Sequence, residues 1–254
     1  MSKPLIIANW KMNLLPDEAA TLAANLKKKI SSAVTKDLEI ILCPSFESLY
    51  QVKENIHGGA IMLGAQDVSW QQHGAFTGEV AAHSLKQLGC QFVIVGHSER
   101  RKYLNEDNEM INRKVHAVLD AGLTPILCVG EAIEERREHH QDLTVMTQVM
   151  KGLNGLSLEV DDQIIIAYEP VWVIGTGQAI EPSEAERMSK VIRQALIDVL
   201  PLDQVKNQCR IIYGGSVNEE NIKEFLDFKL IDGVLVGNAS LKLDEFNSLI
   251  KAAQ

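Results

Sequence analysis

Residues 163–177, QIIIAYEPVWVIGTG, deliver one carboxylate, Glu169, directly after an apolar run and ahead of a loop bounded by proline and tipped with glycine. Ile164, Ile165 and Ile166 are continuous and β-branched, the pattern of a strand covered on both faces in a parallel sheet. A carboxylate leaving such a strand between apolar walls has the setting of a general base; the competing reading is a cap on a solvated turn. Other apolar runs also end in polar residues. Asn9, Trp10 and Lys11 follow the first, and Gly96, His97, Ser98 and Glu99 follow the fourth. Singly, such a histidine is ordinarily structural and such a lysine solvated. Jointly, a carboxylate, an imidazole and an ammonium at three distant strand ends are the parts of acid–base chemistry.

Two glycine turns add a ligand class. Tyr213-Gly214-Gly215-Ser216-Val217 and Val236-Gly237-Asn238-Ala239-Ser240 each end an apolar run, and each is expected to open a helix, the first near Asn218 and the second the last helix of the chain. Glycine lets backbone amides approach an anion, and free amides at a helix amino end carry partial positive charge. Plain tight turns are the alternative for either one alone; together they point to phosphate. The segment GTGQAI at 175–180 has only two glycines in register with a dinucleotide fingerprint.

Elements must hold these residues together. Apolar runs recur at Leu5–Ala8, Leu38–Cys43, Ala60–Leu63, Phe92–Val95, Thr124–Val129, Ile164–Tyr168, Cys209–Tyr213 and Ile231–Val236. Helical spacing falls between them, near 17–31, 46–55, 78–88, 106–120, 132–152, 183–200, 219–227 and 244–252. In 183–200, Ser183 and Glu186 have capping-box spacing after Pro182. Eight strand–helix pairs predict an α/β fold, a closed (β/α)8 barrel of parallel strands in one domain over 1–254. An open doubly wound sheet competes, but Asn9-Trp10-Lys11 stands where its first glycine fingerprint belongs. The charged run Glu131–His140, EAIEERREHH, reads as a solvated helix face.

Composition bounds the partners. Among 254 residues, 34 acidic against 25 basic side chains argue against nucleic acid or an anionic membrane as partner, so an anionic substrate needs a local positive site. The four cysteines, Cys43, Cys90, Cys128 and Cys209, have no CxxC pairing and read as reduced thiols of a cytoplasmic protein. No metal site is expected, since His139 and His140 lack ligand spacing. Neither a cleavable signal nor a membrane span is expected.

NWKMN at 9–13, GAFTGE at 74–79, GHSERR at 96–101, CVGE at 128–131, YEPVW with IGTG at 168–177, YGGSV at 213–217, and LVG with ASL at 235–241 are similar, in order, to the motifs of the triosephosphate isomerase family. The resemblance covers nearly the whole chain and implies a TIM barrel. It also implies a cofactor-free, metal-free homodimer of glycolysis and gluconeogenesis that interconverts dihydroxyacetone phosphate and D-glyceraldehyde 3-phosphate. It assigns Glu169 as the base, His97 as a neutral imidazole that polarises the carbonyl, Lys11 as the local cation and Asn9 as a neutral donor. Gly175, Ser216, Gly237 and Asn238, with Gly214 and Gly215, fall to the phosphate. Glu99 resembles a supporting acid near the lysine, Thr77 a residue that reaches the partner's site, and Gln66–Glu79 a dimer loop. Val173–Gly177 resembles a lid.

The chain departs from the family pattern at Val173, at Gln178-Ala179-Ile180, at Asn238 and at Asp67, whose extra acid would make dimer strength pH-dependent. Two other readings stay open on the residues alone: a barrel aldolase forming a Schiff base through Lys11, and a non-catalytic phosphate-binding protein.

Overall fold

The apolar runs form strands because both faces of each are covered, and they close into one parallel ring. Its members are β1 (Leu5–Asn9), β2 (Glu39–Cys43), β3 (Ile61–Ala65), β4 (Phe92–Val95), β5 (Thr124–Val129), β6 (Ile164–Tyr168), β7 (Cys209–Tyr213) and β8 (Gly233–Val236), with β8 returning to β1. The computed structural model describes residues 3–30, 34–174 and 178–254. The closed barrel, not the open sheet, is thus the architecture, and its eight strands are the eight expected runs, four with identical ends and the others shifted by no more than two residues.

Side chains alternate between two buried layers. Leu5, Ile7, Ile41, Ile94, Ile126 and Ile165 pack in one cluster, while Ile6, Ile40, Leu42, Val93, Leu127 and Ile166 belong to a second that includes the inward stripes of the helices. A period of two assigns the first to the barrel interior and the second to the seam beneath the helices. Register then aligns the carboxyl ends: Val129 pairs with Tyr168, and Tyr168 with Tyr213. The next residues, Gly130, Glu169 and Gly214, are therefore neighbours along the rim.

The helices differ from expectation where local chemistry overrides spacing. Pro182–Val199 buries Ala185, Met188, Ile192 and Leu196, but its cap is Glu181, not Ser183. Pro182 takes the first helical position, where a missing N–H costs nothing, and Glu186 pairs with Lys190 at 2.9 Å instead of closing a capping box. The segment 132–152 is two helices, Ile133–Arg137 and Gln141–Gly152, separated by His139 at φ 58°. Nor is Glu131–His140 simply a solvated face, since Glu131 is fully buried. After Gly215 the helix starts at Ile222, because Asn218 and Asn221 cap each other's amides in an intervening turn. After β8 a short 3-10 turn, Asn238–Ser240, precedes the last helix, Leu243–Ala252. Ser98–Tyr103 and Leu202–Gln208 are further helices that spacing did not reveal. Among the described residues no helix is long and apolar enough to cross a membrane.

Asp67, after β3, is 4% exposed, and its partners are in its own chain: Lys114 Nζ at 2.7 Å and Arg100 Nη2 at 2.8 Å. Glu106 completes the cluster, 2.5 Å from Lys114 and 2.7 Å from Arg100. Two carboxylates and two cations offset one another inside the fold. Removing one cation leaves buried negative charge uncompensated, so Lys114→Met should cost about 3–5 kcal/mol by urea denaturation. Burial pushes the Asp67 carboxyl above its ordinary range, with Lys114 pulling it down and Glu106 pushing it up. A group raised in the folded state contributes stability that is complete below the unfolded value and lost as pH rises through the folded one. The stability of Asp67→Asn relative to the parent should therefore improve as pH rises above the ordinary aspartate value of about 4; a pH-independent difference would contradict this.

Candidate active site

One cavity of about 230 Å³ opens at the carboxyl rim and is lined by Asn9, Lys11, His97, Glu169, Gly214, Gly215, Ser216, Gly237 and Asn238, among others. Residues from β1, β4, β6, β7 and β8 thus meet in a single mouth. Glu99 stands beside it, bound to Lys11, whereas Thr77 lies on an exposed loop. Gly175 to Gly177 fall outside the described residues.

Glu169 is 2% exposed. Its N–H extends the strand ladder to Val129 O at 2.7 Å, which fixes where the side chain starts. The carboxylate then lies between two donors: Oε2 accepts from the Ser98 N–H at 3.1 Å, and Oε1 stands 3.2 Å from His97 Nε2. His97 precedes the Ser98–Tyr103 helix, and its Nδ1 accepts from the Glu99 N–H at 3.2 Å. A nitrogen that accepts cannot carry the proton, so the neutral ring holds its hydrogen on Nε2, facing Glu169. The Glu99 carboxylate is 3.6 Å from Nδ1, beyond hydrogen-bond reach.

Glycine makes this close packing possible. A Cβ on Gly130 would sit 1.6 Å from the Glu169 carbonyl oxygen, and one on Gly214 would sit 2.9 Å from Glu169 Cγ. Gly214 itself is a correction to the expected phosphate cradle: its N–H is spent on Tyr168 O at 2.7 Å, so it supplies room and not a donor. The amides of Gly215, Ser216 and Gly237 donate to no acceptor among the described residues.

Lys11 adopts φ 51°, a left-handed conformation that costs a non-glycine residue roughly 1–2 kcal/mol. Gln66 holds it there, donating through Nε2 to Lys11 O at 2.8 Å and to Cys43 O at 3.0 Å. The Lys11 N–H donates to Asn9 Oδ1 at 3.1 Å, leaving the Asn9 NH2 as that side chain's donor. Lys11 Nζ reaches Glu99 Oε1 at 2.5 Å. Among the described residues no group of three or more His, Cys, Asp or Glu side chains could hold a metal ion.

A second buried carboxylate stands behind Glu169. Glu131 accepts from Tyr168 Oη at 3.2 Å and from Trp172 Nε1 at 3.0 Å, and its backbone oxygen accepts from the Val171 N–H at 3.1 Å. Burial pushes its carboxyl up, while its hydrogen-bond donors and the nearby Arg136 pull it down. Val173 and Ile180, either side of the glycine tip, are both buried in the outer core layer. Spacing did not reveal Gln66 or Glu131 as parts of this site; the only signal was position, since Gln66 directly follows the strand Ile61–Ala65 and Glu131 lies two residues beyond Thr124–Val129.

A closed parallel barrel whose carboxyl rim gathers a base, an imidazole, an ammonium and free amides at the last two turns is a phosphate-binding barrel enzyme. Its sequence matches the triosephosphate isomerase family model over residues 4–253. It is 43% identical to the triosephosphate isomerase of Carboxydothermus hydrogenoformans over all of both chains, and 44% identical to that of Dictyoglomus thermophilum over 99% of this chain and all of the relative. The Dehalococcoides mccartyi enzyme is 45% identical over all of this chain and 97% of its own. The chain belongs to the triosephosphate isomerase family.

All four cysteines are free and buried. Burial pushes the Cys90 and Cys209 thiols up to about 12. It raises those of Cys43 and Cys128 as well, the latter helped by the adjacent Glu169 carboxylate. Thiolate is the reactive form, so Ellman's reagent should titrate none of the four in the folded protein and all four after denaturation. Rapid release of even one equivalent from folded protein would contradict the assignment.

Proposed function

We propose that Glu169, His97, Lys11 and Asn9 carry out in this chain the reaction of its family, the interconversion of dihydroxyacetone phosphate and D-glyceraldehyde 3-phosphate, a step of glycolysis and gluconeogenesis. The observation that carries the assignment is the 3.2 Å approach of His97 Nε2 to Glu169 Oε1. It puts a carboxylate base and an imidazole proton on the same side of one small pocket. A carboxylate base beside a neutral imidazole is the established pairing in triosephosphate isomerases.

Substrate entry replaces the Glu169–His97 contact. The carboxylate leaves the Ser98 amide, removes a proton from the carbon beside the carbonyl and returns it to the neighbouring carbon. His97 donates Nε2–H to the carbonyl oxygen and then shuttles the hydroxyl proton, giving an enediolate whose oxygens are stabilised by Lys11 and the Asn9 amide. Glu99 positions Lys11. The phosphate is received by the amides of Gly215, Ser216, Gly237 and Asn238, with Gly175 closing from the lid. The lid is anchored by Val173 and Ile180 and excludes water from an intermediate that otherwise expels phosphate. The contact of Lys11 Nζ with Glu99 Oε1 at 2.5 Å occupies the nitrogen that a Schiff-base aldolase would need as its nucleophile.

One domain, cytoplasmic location and a homodimer complete the proposal. Free buried thiols support a reducing compartment. Met12 at 90% exposure, Leu15 at 69% and Phe76 at 41% support an apolar contact between copies through the Gln66–Glu79 loop, with Thr77 reaching the partner's site. The root of that loop already touches the site, through Gln66 on Lys11.

Shortening the base tests the chemistry. Glu169→Asp should lower kcat by about 10²–10³-fold with KM changed only a few-fold, and undiminished turnover would remove Glu169 from its role. Borohydride with either triose phosphate should trap no adduct on Lys11. Sedimentation across a dilution series should show a dimer, and fully active monomers would overturn the interface.

A further inference from the structure

Asn154-Gly155 is the one Asn-Gly pair in the sequence, and it stands in the turn that follows the helix Gln141–Gly152 and leads toward β6. In a (β/α)8 barrel such a turn lies on the amino-terminal side, away from the catalytic rim. The Asn154 side-chain amide is exposed and has no hydrogen-bond partner among the described residues. Nor does the Gly155 N–H donate to any acceptor among them, although its neighbours' do, Asn154 to Lys151 O at 3.4 Å and Leu156 to Leu153 O at 3.2 Å. The carbonyl oxygen between the two residues is held instead: it accepts from Asn112 Nδ2 at 3.0 Å and from His116 Nε2 at 3.2 Å. A carbonyl can only accept, so the His116 hydrogen facing it is on Nε2. Asn112 and His116 lie one turn apart on the helix Asn108–Asp120, and the Asn112 NH2 also donates to Gly152 O at 3.1 Å, which fixes the pair against the end of the neighbouring helix.

We propose that Asn154 is a self-modification site: the Gly155 nitrogen attacks the Asn154 side-chain carbonyl carbon, Asn112 and His116 hold the charge that develops on the peptide oxygen, and the residue converts to aspartate and isoaspartate.

The reaction balances with water as the only co-reactant. Water or hydroxide takes the Gly155 N–H proton, and the resulting negative charge spreads over the peptide nitrogen and Asn154 O, the oxygen on which both donors converge. The N–Cγ bond forms, the bond from Cγ to the amide nitrogen breaks, and ammonia leaves with a proton returned by water. Water then opens the five-membered imide at one carbonyl to give aspartate or at the other to give isoaspartate. Donors aimed at an oxygen that gains charge bind it more strongly as the charge grows, so they favour the step and not the resting peptide. Glycine contributes by offering no side chain to block the ring closure: at φ 72° a Cβ on Gly155 would meet nothing within 4 Å, so solvent reaches the peptide. The product carboxylate stands beyond the carboxyl end of the helix Gln141–Gly152, where the helix dipole disfavours negative charge. In isoaspartate the oxygen held by Asn112 and His116 itself becomes part of that carboxylate.

An exposed Asn-Gly pair reacts in any flexible chain, so the test compares the full-length protein folded with the same protein unfolded in guanidinium chloride. Both are incubated in warm, mildly alkaline buffer and digested, and the peptide carrying residue 154 is followed for a mass gain of about one dalton, with fragmentation to separate isoaspartate from aspartate. The folded protein should react at Asn154 at least about threefold faster than the unfolded one, whereas Asn247, followed by Ser248 within the helix Leu243–Ala252, should react more slowly when folded. His116→Leu and Asn112→Ala should each slow the folded reaction by about threefold, the worth of one partly exposed hydrogen bond, and leave the unfolded rate unchanged. His116→Gln, which keeps a donor, should retain most of the parental rate.

A folded rate at or below the unfolded rate would overturn the proposal, as would parental folded rates in both His116→Leu and Asn112→Ala. If Asn112→Ala, which also releases Gly152 O, fails to fold, His116→Leu alone decides by the same criterion.

Discussion

A carboxylate taken out of water must be met by donors, and the carboxyl rim of this barrel is arranged around that requirement. Glu169 is met by the Ser98 amide and approached by His97. Glu131 is met by Tyr168, Trp172 and Arg136. Asp67 and Glu106 share Lys114 and Arg100. Each acid comes from a different stretch of chain, and each recruits donors from a neighbouring one, so the rim is cross-linked by polar contacts where the strand ladder ends. Below the rim the same positions are filled by isoleucine, leucine and valine, which ask for nothing but cover. The division explains why chemistry is confined to one end.

Register is the second constraint and makes the first one possible. Because Val129, Tyr168 and Tyr213 lie side by side, the residues that follow them crowd at one point. The ladder continues one step further through Glu169 N–H to Val129 O and Gly214 N–H to Tyr168 O, both at 2.7 Å. Only glycine tolerates that approach at 130 and 214, where any side chain would meet Glu169. Gly130 and Gly214 therefore make room for Glu169, and the Gly214 N–H is taken by Tyr168 O. A turn that reads as a phosphate cradle divides its work: Gly214 for room, Gly215 and Ser216 for free amides.

The strands were legible because burial on both faces demands unbroken apolar runs, and a run such as Ile164–Tyr168 has few alternatives. The polar strand ends at Lys11, His97 and Glu169 were legible for the opposite reason, as departures from that pattern. Helix boundaries were not, since they turn on single residues: Pro182 moves a cap from Ser183 to Glu181, and Asn218 with Asn221 delays a helix to Ile222. The charged run after β5 misled most. Nothing in EERR distinguishes solvated side chains from Arg136, whose partners Glu131 and Trp172 lie five residues back and thirty-six residues on. Long-range polar pairing has no period, so composition alone reports it as surface.

Net charge sets the remaining problem. The chain carries a formal charge of −9, yet its proposed substrate is an anion. Among the described residues, Lys11 is the one lysine or arginine lining the pocket, and it already lies 2.5 Å from Glu99, so the resting mouth has little net positive charge with which to draw phosphate from afar. In the proposed mechanism recognition then falls to short-range donors, the amides of Gly215, Ser216 and Gly237. In an open, wet pocket such donors gain little, because water competes for the same oxygens; in a closed, dry one each is far stronger. An acidic triose phosphate enzyme thus depends on excluding water more than on attracting its substrate. In the proposed mechanism that dependence places the burden on the loop after Glu169.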